Sequence, residues 1–103
     1  MEIIESSTYK AWFVALRDMR AQVRIVARIR RLQEGNPGDV KPVGEGISEM
    51  RIDYGPGYRV YYLQHGRTTV LLATGGDKRT QDADVAEAKK IAAAWKTEQE
   101  KAQ

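Results

Sequence analysis

Arg51, Arg59, Lys78 and Arg79 lie on or beside three consecutive strand-like stretches of this chain. In an antiparallel meander such positions converge on one face. Tyr61 shares that face with Arg59, because side chains alternate along a strand. The set suits a phosphodiester. Cations hold the phosphate and stabilise the charge of a pentavalent transition state, and an aromatic ring stacks on a base. Tyrosine and arginine are poor acid–base groups near neutral pH unless strongly perturbed. A plainer reading stands beside each residue. Arg51 can pair with Glu49 or Asp53 on a solvated face. Tyr54, Tyr58 and Tyr62 suit cross-strand packing. Lys78 and Arg79 equally suit a solvated corner before a helix.

Other chemistries find less support. The single histidine, His65, sits in a turn without an orienting partner. Gly75-Gly76 lacks the spacing of a P-loop or a dinucleotide motif, so no nucleotide cofactor is expected. There is no cysteine, and no acidic pair is spaced for a metal ion, so no metal site is expected.

A second basic feature lies nearer the N-terminus. Arg20, Arg24, Arg28 and Arg31 recur at steps of four, four and three, which puts them on one stripe of a helix. The stripe is either a surface for phosphates or an acidic partner, or a solvated helix face. Guanidinium groups pair bidentately with phosphate and carboxylate, which favours contact.

The elements that position these residues are readable in order. Ile3–Glu5 reads as a short strand, and Ser6, Ser7 and Thr8 offer helix caps. A helix over Tyr9–Met19 collects Trp12, Phe13 and Leu16 on one side. A second, from about Arg20 to Glu34, has Val23, Val26 and Ile29 facing one way, with Ile25 and Leu32 widening the apolar stripe. The pair is expected to form a helical hairpin, ended by Gly35 and Pro37. Val40–Val43 reads as a brief extended piece. Ser48–Tyr62 is a hairpin: Met50, Ile52 and Tyr54 alternate with Glu49, Arg51 and Asp53, and Gly55-Pro56-Gly57 supplies the turn. Thr69–Thr74 is apolar on both faces, which predicts a central strand covered by a helix. That helix begins near Thr80–Asp84 and carries Val85, Ala88, Ile91, Ala92 and Trp95 inward. From Lys96 onward the chain is expected to fray.

A chain of 103 residues with formal net charge +3 is expected to be one domain with a modest core and a polar tail from about residue 97. No secretory signal is visible at the start and no apolar run suits a bilayer, so no membrane partner is expected.

From Glu49-Met50-Arg51-Ile52 through Tyr58-Arg59-Val60-Tyr61-Tyr62 to Gly75-Gly76-Asp77-Lys78 and Thr80–Ala88, the chain resembles the RelE/ParE toxin superfamily. It is most similar to the HigB-like addiction-module killer branch, also described as phage Gp49-like. The resemblance implies an α+β fold, with a small twisted antiparallel sheet, an N-terminal helical hairpin and a C-terminal helix. It implies a cytoplasmic toxin of a type II toxin–antitoxin system. The antitoxin, with a helix-turn-helix domain, carries any contact with operator DNA, and here the Arg20–Arg31 stripe or the active face is expected to meet it.

Such toxins cut mRNA on the ribosome without a metal cofactor, or, in the ParE-like alternative, inhibit DNA gyrase. Carried over residue by residue, Arg59, Lys78 and Arg51 are the expected catalytic residues, with Tyr61 and Arg79 binding substrate. One departure matters: nothing after Asp77 is Tyr or His. The resemblance therefore implies catalysis by orientation and charge stabilisation, or with a group supplied by the ribosome.

Overall fold

Alternating side chains and a glycine-rich turn set the middle of the sheet. A computed structural model describes residues 1–102. Strands β3 (Ile47–Ile52) and β4 (Tyr58–His65) pair antiparallel, Met50 opposite Val60 and Arg51 opposite Arg59. In the turn between them, Gly55 and Gly57 both have positive φ, and the Gly57 amide donates to the Tyr54 carbonyl. A β-carbon would strain either position. Strand β5 (Thr69–Gly76) extends the meander beyond β4, and β2 (Val40–Gly44) extends it beyond β3. Strand β1 (Glu2–Glu5) completes a five-stranded sheet in the order β1-β5-β4-β3-β2. It runs parallel to β5, so the sheet is mixed rather than wholly antiparallel.

Each face of the sheet carries its own core. Met50, Ile52, Val60, Tyr62, Val70 and Leu72 pack under two helices, α1 (Ser7–Val14) and α2 (Met19–Gln33). Ile47, Tyr61, Leu63, Leu71 and Ala73 pack under α3 (Gln81–Lys101), through Ala88 and Ala92. The glycines of Gly75-Gly76 serve these layers. A β-carbon on Gly75 would overlap the Trp12 ring, and one on Gly76 the Asp84 carboxylate.

Ser6 fastens α1 to the sheet. Its hydroxyl donates to the Ala73 carbonyl at 2.5 Å and accepts from the Tyr9 amide at 2.9 Å. Ser6→Ala is expected to destabilise the chain by about 1–2 kcal/mol, read from denaturant unfolding.

The helices differ from the sequence expectation in three respects. Asp18 is the N-cap of α2, accepting from the amides of Arg20 and Ala21, so the break between helices falls at Ala15–Asp18 rather than after Met19. The buried line of α2 is Ala21, Ile25 and Leu32, while Val23 and Val26 face outward. Helix α3 does not fray at Lys96 but continues to Lys101. Lys, Glu and Gln favour helix, and Lys101 suits the negative end of the dipole. At the other end of α2 the expected cap forms. Gly35 has φ +92°, its amide donates to Leu32, and that of Asn36 donates to Arg31.

Candidate functional site

The register of three strands brings the cations together. Arg51 lies opposite Arg59, and Arg59 lies opposite Gly76, two residues before Lys78. Arg51, Arg59 and Lys78 line one open cleft of about 420 Å³, with Asp39, Asp53 and the Gly55–Gly57 turn. Like charges directly opposite across a strand pair are unfavourable. Two carboxylates offset them. Asp39 stands 3.4 Å from Arg51 Nη2, and Glu49 Oε1 stands 3.9 Å from Arg59 Nε. The Nε–H groups of both arginines are buried without a protein acceptor among the described residues. An anion entering the cleft would meet three cations against two lining carboxylates, Asp39 and Asp53.

Arg59 is held more firmly than its neighbours. Its side chain is 10% exposed, and Nη1 donates to the carbonyls of Gly57 and Tyr58. Gly57, whose φ of +80° is what requires glycine, brings the turn against this guanidinium and Lys78 at van der Waals distance. Glu49, which the sequence placed on a solvated face, is 4% exposed. Its Oε2 accepts from the Tyr61 hydroxyl at 3.0 Å and from the Gln81 amide at 3.1 Å. Glu49 and Gln81 were not among the expected site residues. The apolar face of α3 was the available signal, because a second helix layer buries the face of β3 that carries Glu49.

Tyr61 does not line the cleft. It is fully buried, so its ring has no open face on which a base can stack. Burial, then the hydrogen bond to Glu49, pushes its hydroxyl well above the ordinary tyrosine range. Through Glu49 it is linked to Arg59, which lines the cleft. Arg79 is also outside the cleft. Its side chain is 81% exposed and forks onto Asp77, with Nη2 at 2.9 Å and Nε at 3.3 Å. That carboxylate holds the guanidinium above its ordinary range and is itself lowered.

The α2 arginines separate into two groups. Arg20 and Arg31 are exposed, and Arg24 lies 4.7 Å over the Tyr54 ring. Arg28 turns its guanidinium toward the sheet while still sharing a groove of about 330 Å³ with Arg24 and Arg31. It donates to the carbonyls of Arg51 at 2.6 Å, Pro37 at 3.0 Å and Asp39 at 3.2 Å. A guanidinium can be taken in because five donors in a plane match several carbonyls at once. Arg28 therefore positions the cleft wall that carries Arg51 and Asp39. Arg28→Ala is expected to destabilise the fold by about 2–3 kcal/mol and to speed amide exchange at Arg51, whose N–H donates to Asp39. Arg24→Ala should do neither.

Among the described residues, no three His, Cys, Asp or Glu groups stand close enough to hold a metal ion, and no helix is long and apolar enough to cross a membrane. The family model for the phage-derived Gp49-like protein matches residues 11–96, spanning both helical layers and the whole cleft. The chain belongs to the Gp49-like family. This family lies in the RelE toxin-like group, and the α+β architecture is compatible with that fold. The Gp49-like chain is also 48% identical over 92 residues to an uncharacterized protein of Haemophilus influenzae, covering 89% of this chain and 93% of the relative. No solved structure matches it.

Proposed function

We propose that this Gp49-like protein is the toxin of a type II toxin–antitoxin pair and cuts mRNA on the ribosome. The observation that carries the reading is the convergence of Arg51, Arg59 and Lys78 on one cleft. There the 2′-oxygen of the RNA attacks the adjacent phosphorus, and the bond to the 5′-oxygen breaks. The products are a cyclic phosphate and a 5′-hydroxyl. The three cations hold the phosphate and oppose the charge that builds on it, with Arg59 fixed beforehand by backbone carbonyls. Asp39 and Asp53 are the carboxylates lining the cleft, and Asp39 is paired with Arg51. Asp53 is thus the side chain we assign to receive the 2′-hydroxyl proton, which the leaving oxygen regains. The family supports an antitoxin as partner; ribosome and mRNA enter with the chemistry proposed.

The second reading is a gyrase-inhibiting toxin with no chemistry of its own. It is favoured by the lining of the cleft, which among the described residues holds no aromatic ring for a base. Mapping mRNA 5′ ends after brief induction separates the two. New ends inside translated frames are expected. Intact mRNA with arrested growth and a DNA-damage response would move the function to gyrase.

A further inference from the structure

The three cations of the cleft are held in different ways. Arg51 pairs with Asp39, and Arg59 faces Glu49 and two carbonyls. Among the described residues, no hydrogen bond or ion pair holds the Lys78 ammonium. A lysine stem is flexible, so the backbone must set where its charge falls. Two ties fix that backbone. On one side, Gly76 stands opposite Arg59 in the sheet. On the other, Gln81 opens α3, and its side-chain amide donates to Glu49 Oε2 at 3.1 Å. Between the ties, Asp77–Thr80 forms a closed turn. The Thr80 amide donates to the Asp77 carbonyl at 3.2 Å, and the Arg79 amide donates to the Asp77 carboxylate at 2.8 Å. Lys78 rides on this turn with its stem against Gly57.

The second tie ends on the carboxylate that also faces Arg59. Glu49 is 4% exposed and sits within the sheet on β3. Its Oε1 stands 3.9 Å from Arg59 Nε, while Oε2 takes Gln81. We propose that Gln81 is a positioning residue: through Glu49 it sets the spacing of Lys78 from Arg59, so that both cations meet one phosphate group. The proposal rests on the cleft taking a phosphodiester. The residue type suits the task. A carboxylate accepts, so the amide must present its NH2 group. That group is neutral, so Glu49 keeps its charge for Arg59; a Lys or Arg at position 81 would compete for it. The neighbours are engaged elsewhere. The Thr80 hydroxyl donates to Asp84 at 2.5 Å, and Arg79 forks onto Asp77. A tie that merely stabilised α3 would act without regard to Lys78, and this is where the two roles part.

The test uses Gln81→Met, which keeps the length of the side chain and removes the donor; Gln81→Ala is a second variant. Single-turnover cleavage of ribosome-bound mRNA should slow about tenfold in Gln81→Met, since small misplacements of a catalytic group are costly. It should slow by less than about twofold when Lys78 is already Ala, because the two residues then act as one unit. Equal losses in both backgrounds would overturn the proposal. So would a loss that persists with Lys78→Ala and vanishes with Arg59→Lys, which would place the effect on Arg59. A second readout needs no cleavage. Inorganic phosphate is titrated onto the isotope-labelled full chain, and the side-chain resonances of Lys78 and Arg59 are followed. In the parent both should move over the same concentration range. In Gln81→Met the Arg59 response should remain and the Lys78 response should need more phosphate. An unchanged Lys78 response, or no response of either cation in the parent, would overturn the proposal. A parent that cuts no mRNA but shows this phosphate pattern would remove the nuclease reading and leave the positioning role standing.

Discussion

Arg59→Ala is expected to lower mRNA cleavage by about 10²–10³-fold and to release growth arrest, because it removes a donor held ready for charge that develops only in the transition state. The cleft makes Arg59 the strongest candidate among its cations. Arg51 is more exposed and shares its charge with Asp39, whereas the Arg59 side chain is 10% exposed and fixed by two carbonyls. The same burial gives the substitution a second effect. Truncation leaves Glu49 buried without its cation, and breaking a buried pair costs about 3–5 kcal/mol. Loss of activity in Arg59→Ala must therefore be read beside its melting curve and soluble yield. Arg59→Lys separates the effects: it keeps a cation near Glu49 but loses the planar fork. The expected result is a folded Lys variant with weakened cleavage and an unchanged position of 5′ ends. An Arg59→Ala protein that melts normally and still cuts would remove Arg59 from the chemistry.

The cation cluster was legible because strand alternation is rigid. Once Gly55-Pro56-Gly57 fixes the turn, Arg51 and Arg59 must face each other, and the end of β5 must follow. The parallel pairing of β1 was not legible. Glu2–Glu5 is a short strand, and which edge it joins depends on how the two helices between lead the chain across the sheet. Tyr61 and Glu49 were misjudged for one reason. A strand pattern gives the face but not what covers it, and α3 turns the face of Glu49, Arg59 and Tyr61 from solvent into a second core.

Helix α2 shows the same limit. Two lines at helical spacing compete in its sequence. One is Ala21, Ile25, Arg28 and Leu32; the other is Met19, Val23, Val26 and Arg30. Hydropathy alone favours neither, since each contains an arginine. The structure turns the first line to the sheet: Ala21, Ile25 and Leu32 are buried, and Arg28 meets three backbone carbonyls there. Arg28 still lines a groove with Arg24 and Arg31, and Met19, Val23 and Val26 form an exposed apolar row on α2.

Glu49→Ala should be the most destabilising single change at the site, by about 3–5 kcal/mol, because it leaves the Arg59 guanidinium in a buried site without a counter-charge. It also removes the acceptor for Tyr61 and Gln81. Glu49→Gln keeps an acceptor oxygen but loses the charge, so it should lose less stability and still misplace Arg59. Tyr61→Phe isolates the third member. It removes one donor to a carboxylate, worth about 1.5–3 kcal/mol, while the ring stays in the core. A pH readout reports the burial of this hydroxyl together with its bond to Glu49. Burial first, and Glu49 second, raise the Tyr61 hydroxyl above its ordinary value of 10.0. Its contribution is therefore complete below about pH 10 and is lost as pH rises toward the folded value. Tyr9 and Tyr62 are also raised by burial, so the parent loses stability in alkali through several groups. The difference between parent and Tyr61→Phe in urea unfolding should shrink as pH rises above about 10. A difference that stays constant with pH would mean that the Tyr61 hydroxyl does not occupy this buried, hydrogen-bonded place beside Glu49. Glu49 would then hold Arg59 without its help.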